Sequence, residues 1–150
     1  MISKTEHMYA PFVISSIADE NKVGKKVDAN NVLLIEELLN QHLKLSTYGE
    51  GLTGIAFVYI VTPPIDIIHH DEIIYRAKKK ELYIEMRLPY EKVATASEAE
   101  VLQMMAQKYL QTFQDKSLWK KLKGFDCEGF SRDVQRLFEE QGWLNVVELV

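Results

Sequence analysis

The chain has 150 residues, of which 47% are hydrophobic and 27% charged, and its formal net charge is −4. That length suits one domain with a sizeable core, so the expectation is a single globular α+β domain over residues 1–150. The acidic balance disfavours non-specific nucleic-acid binding, which needs a concentrated basic face, and the longest apolar run, residues 55–61, is too short to span a bilayer.

Residues 8–17 are rich in β-formers. Pro11 removes a ladder donor, which predicts an edge strand or a strand starting near Phe12. The polar stretch 19–30 reads as a loop. Asn30 or Asn31 can cap a helix running to about Leu45, with Val32, Ile35, Leu38, Leu39 and His42 on its apolar face. The glycine-rich segment 48–54 ends that element, and Gly49 is the candidate for a left-handed backbone. A phosphate cradle would follow a strand and open a helix. Here the order is reversed and no lysine is present, so a connecting turn is expected.

Residues 55–61 lack polar alternation and predict a central strand buried on both faces. Pro63 and Pro64 stop it. A hairpin is expected next, with strands at 72–77 and 81–88 joined by Lys78, Lys79 and Lys80. Leu82, Ile84, Met86 and Leu88 share one face of its second strand. Ser97 and Glu100 form a capping box for a helix that buries Val101, Leu102, Met105, Ala106, Tyr109, Leu110 and Phe113. A basic turn at 116–123 carries Trp119. Asp126 caps a last helix with Phe130, Val134, Leu137 and Phe138 as its stripe, and Gly142 ends it. Residues 144–150 read as an extended tail. The fold expected from this order is α+β. A mainly antiparallel sheet of edge strand, central apolar strand and β-hairpin packs against one N-terminal and two or three C-terminal helices.

The densest polar constellation is Asp66, His69, His70, Asp71 and Glu72. Imidazole with carboxylate can bind a metal or act as a base. Adjacent histidines on a strand point to opposite faces, however, and the competing reading is a solvated acidic loop. Cys127 precedes a helix, where a thiol can be activated, but no local motif supplies a base and its neighbours Asp126 and Glu128 are acidic, so a packed thiol is expected. Lys78–Lys80 reads as a hairpin tip. A second basic cluster, Lys116, Lys120, Lys121 and Lys123, sits beside a segment, 125–150, with six acids against two arginines. One cysteine and no apolar leader point to the cytoplasm. No catalytic set, cofactor motif or metal-ligand spacing emerges, so a non-enzymatic binding protein is expected. An enzyme or small-molecule-binding domain using the 66–72 loop with Tyr59, Tyr75 and Tyr83 is the alternative.

The strand Gly54-Ile-Ala-Phe-Val-Tyr-Ile, the hairpin Tyr75-Arg-Ala-Lys-Lys-Lys-Glu-Leu-Tyr-Ile-Glu-Met, the exit Leu88-Pro-Tyr-Glu-Lys-Val93 and the helix entry Phe125-Asp-Cys-Glu-Gly-Phe130 resemble a family of bacterial immunity proteins from polymorphic toxin systems. The resemblance covers residues 51–143. It implies a small cytoplasmic α+β protein that binds and neutralises a cognate toxin domain. Net acidity suits a basic nuclease as that partner. The residues expected to meet it are Asp66, Asp71 and Glu72 on a loop free of Lys and Arg, then Glu139 and Glu140 on the last helix.

Overall fold

The computed structural model describes residues 7–9, 14–15, 29–62 and 72–144. In chain order these form β1 (His7–Tyr9), β2 (Ile14–Ser15), α1 (Ala29–His42), a 3-10 turn (Leu45–Tyr48), β3 (Gly54–Thr62), β4 (Glu72–Arg76), β5 (Glu81–Pro89), α2 (Tyr90–Thr95), α3 (Glu98–Gln114), α4 (Lys116–Lys121) and α5 (Cys127–Glu140). The class is α+β, as expected. Residues 66–71 of the His/carboxylate loop and residues 145–150 of the C-terminal tail lie outside the described residues.

The sheet runs β1-β3-β5-β4, with β2 also on β3. Its directions depart from the expected antiparallel pattern. Only the β4–β5 hairpin is antiparallel, whereas β3 pairs in parallel with β1, β2 and β5. The reason is placement. β4 runs back two positions away from β3, and β5 fills the gap from Gly54 opposite Glu81 to Thr62 opposite Pro89. A strand that reverses twice ends up parallel to where it started. β5 takes the inner position because its entire alternate face, Leu82, Ile84, Met86 and Leu88, needs cover, and all four are buried. The shorter β4, with Ile74 38% exposed, sits outside it.

The core lies between this sheet and the helices. Ile55, Phe57 and Tyr59 pair in register with Leu82, Ile84 and Met86, so they share the buried face. Val58, on the other face, is also buried, which agrees with the non-alternating β3 sequence. The Tyr59 hydroxyl donates to the Met105 carbonyl at 2.7 Å, which ties β3 to α3 and satisfies a polar atom inside the core. A chain of aromatic contacts follows, from Phe57 through Tyr109 and Phe113 to Phe130, with ring centroids 4.9–5.0 Å apart.

The helix signals read from the sequence operate as chemistry requires. Ser97 Oγ accepts from Glu100 N at 3.2 Å and Glu100 Oε1 accepts from Ser97 N at 3.0 Å. Asp126 Oδ1 accepts from Gly129 N at 3.0 Å and caps α5. At its far end Gly142 N donates to the Glu139 carbonyl and Trp143 N to the Phe138 carbonyl, with the Trp143 ring 5.6 Å from Phe138. That is a Schellman closure with its apolar contact.

Two local expectations need correction. α1 begins at Ala29, so Asn30 and Asn31 lie inside its first turn rather than capping it. It ends at His42, which is exposed, and Leu43 takes the buried place instead. Lys44 is extended, and the 3-10 turn after it brings Leu45 and Tyr48 onto one side, where both are buried. Beyond these, the Leu88-Pro89 exit opens a short helix, α2, that the sequence reading did not anticipate, with Pro89 as its N-terminal flank and Val93 fully buried.

Candidate functional site

The site begins with backbones that approach closely. Gly51 N donates to the Gly124 carbonyl at 3.0 Å, and Asp126 N donates to the Tyr48 carbonyl at 2.7 Å. A side chain at Gly51 would place its Cβ 2.5 Å from the Lys123 carbonyl oxygen, so only glycine lets the two segments meet. The glycine-rich segment is therefore a packing turn, as its position before a strand predicts. The same segment also holds the hairpin. Thr53 N donates to the Lys80 carbonyl at 2.8 Å, Thr53 Oγ1 to the Lys79 carbonyl at 2.9 Å, and the Tyr75 hydroxyl to the Gly51 carbonyl at 2.8 Å.

Three chain segments thus surround one open cleft of about 330 Å³, lined by Glu50, Gly51, Tyr75, Lys80, Lys123 and Gly124. The fold brings Lys80 at the hairpin tip and Lys123 after α4, about 40 residues apart in sequence, to the lining of one cleft. Lys78, Lys79, Lys80, Lys120, Lys121 and Lys123 are all exposed, and none forms an ion pair with another described residue. Sequence reasoning considered each cluster alone. The signal it passed over was the pairing of two glycine-bearing turns, 49–54 and 124, the second beside Lys123.

Lys80 carries a further feature. Its φ is +55°, a left-handed conformation that costs a non-glycine residue about 1–2 kcal/mol. Lys80→Gly is therefore expected to raise unfolding free energy by about 1 kcal/mol, measured as a higher urea midpoint at unchanged slope.

The other candidates fall in separate places. Of the acidic residues expected to meet a partner, Asp66 and Asp71 lie outside the described residues, together with His69 and His70. Glu72 opens β4 and stands opposite Glu85 in the register. Glu139 and Glu140 are exposed in the last turn of α5, where Glu139 Oε1 accepts from Gln135 Nε2 at 2.9 Å. Tyr59, Tyr75 and Tyr83 do not converge: they donate to Met105, Gly51 and Glu85 respectively. Among the described residues, no three metal-ligating side chains come together, and no helix is long and apolar enough to cross a membrane.

Cys127 is packed. It is the first residue of α5 and 4% exposed, and burial, reinforced by the Asp126 charge, pushes its thiol up to about 11. Burial likewise holds the Tyr59 and Tyr109 phenols above their ordinary value of 10.0. Tyr48 is raised by burial and then by its 2.6 Å hydrogen bond to Asp133 Oδ2, which joins the 3-10 turn to α5. All four groups stay protonated in the fold while the unfolded chain ionises from about pH 9 upward. The folded state then binds more protons, so this contribution to stability is complete below pH 9 and declines as pH rises. The urea midpoint at pH 10.5 is expected to fall below that at pH 8; an equal midpoint would contradict the burial of these groups.

None of the described groups forms a nucleophile–base pair, and what remains is a rigid scaffold with charged surfaces. No curated protein and no solved structure matches the chain. A family model described as immunity protein 44 matches residues 10–140, which include β2 through α5 and both the cleft and the acidic end of the last helix. The chain belongs to that family, an immunity family of polymorphic toxin systems.

Proposed function

We propose that this protein neutralises a cognate bacterial toxin domain by binding it, without catalysing a reaction. The observation that carries this reading is the family match over residues 10–140. The architecture supports it: a rigid core presents charged surfaces, and the one cysteine is packed rather than poised. The net charge of −4 favours a basic partner such as a nuclease, because opposite potentials speed encounter. The proposed acidic contacts are Asp66, Asp71 and Glu72, with Glu139 and Glu140 second. The cytoplasm, where a toxin would have to be met, is the proposed compartment.

The test is co-expression with the C-terminal toxin domain encoded beside this gene. Protection of the cells and a complex that survives gel filtration are the expected results. Unprotected cells together with no complex would overturn the reading. Charge reversal of Glu139 and Glu140 to Lys is expected to slow association with a basic toxin and to weaken its salt dependence.

A further inference from the structure

We infer that the cleft between the hairpin tip and the 123–125 turn is a second, basic part of the toxin interface, which takes a carboxylate-bearing loop of the toxin. This inference rests on the immunity reading above. Three observations carry it.

The first is charge. Lys80 and Lys123, from two distant chain segments, both line the cleft against the single acid Glu50, and neither forms an ion pair with another described residue. Like charges repel one another, and a ligand carboxylate relieves that repulsion. The second is rigidity. Hydrogen bonds from Thr53, Gly51 and Tyr75 fix the three segments that form the walls. A wall already in place loses little entropy when a partner arrives. The third is strain. A lysine occupies the left-handed position at residue 80, where glycine would be relaxed, at the rim of that same cleft. Strain retained at one residue points to a use for its side chain.

The chemistry favours a protein carboxylate over a nucleic-acid backbone. Glu50 lines the cleft, and the chain as a whole is acidic, so a long polyanion would be repelled beyond the first few charges. A volume of about 330 Å³ accommodates one or two side chains of a loop. α5 starts beside this cleft at Cys127, and its acidic end lies about 20 Å further along the helix axis. A basic cleft and an acidic helix end at that separation would fix the orientation of a partner of mixed charge.

The experiment measures association of the full chain with the adjacent toxin domain by stopped flow, at low and high salt. Three proteins are compared: wild type, Lys80→Glu/Lys123→Glu and Lys80→Gly. The double variant is expected to associate at least tenfold more slowly at low salt, with wild-type circular dichroism. Lys80→Gly should melt higher than wild type yet associate more slowly, an opposition that a purely structural role would not produce. If the double variant does not fold, Lys78→Glu/Lys79→Glu at the exposed tip takes its place. Wild-type rates in every folded variant would overturn the inference and leave the immunity reading intact. A wild type that does not bind at all would remove both. Binding of a 20-nucleotide single-stranded DNA by wild type, abolished in the double variant, would overturn the carboxylate assignment.

Discussion

Phe57→Ala and Phe138→Ala are each expected to lower the unfolding free energy by about 3–5 kcal/mol. Both rings are fully buried. Phe57 lies on the central strand with its centroid 5.0 Å from Tyr109, and Phe138 lies on the last helix 6.1 Å from the same ring. Each truncation leaves a cavity beside Tyr109, whose neighbours belong to different elements and cannot collapse into it together. Because the two sites share that ring, the double variant should depart from additivity. Urea denaturation of the three variants measures all of this. A single-variant loss below about 1 kcal/mol would show that the ring is not in the core.

The second large effect concerns the turns that close the cleft. Gly49→Ala is expected to destabilise by about 3 kcal/mol. Its φ is +118°, and an added Cβ would overlap the Gly124 carbonyl oxygen, which belongs to the backbone and cannot rotate away. Gly51→Ala is expected to fall in the same range, because its added Cβ would lie 2.5 Å from the Lys123 carbonyl oxygen and push apart the Gly51–Gly124 hydrogen bond. Thermal melts of both variants test this, and changes within 0.5 kcal/mol, the usual range for surface sites, would mean that the two turns are not in contact. Because these turns position Lys80 and Lys123, any Gly51→Ala protein that still folds should also show slowed association with the toxin domain.

Several elements were legible because their determinants are local. The capping box at Ser97 and Glu100, the cap at Asp126 and the closure at Gly142 each depend on residues within one helical turn. The β5 face depends only on alternation, and every residue of it is buried as read. The errors have local causes as well. His42 fits the helical period, but α1 stops there and an extended Lys44 redirects the chain, so Leu43 and Leu45 take the buried places. Pro89 ends β5 and also flanks the start of α2, where its fixed φ is compatible with the turn into a helix.

The sequence by itself determined the α+β class, most of the core residues (His42 is exposed and Leu102 half-buried, while Met104 is buried), the packed state of Cys127 and the kinship with immunity proteins, because periodicity, caps and family texture are written in neighbouring residues. Only the tertiary structure decided the parallel pairing of β3 with β5, since strand order depends on which strand most needs two neighbours. It also decided that Lys80 and Lys123 share a cleft, because that meeting depends on two glycine turns closing across a separation of more than 70 residues. No window of sequence contains both partners of such a contact, and the energy that makes it is the burial of the core beneath it.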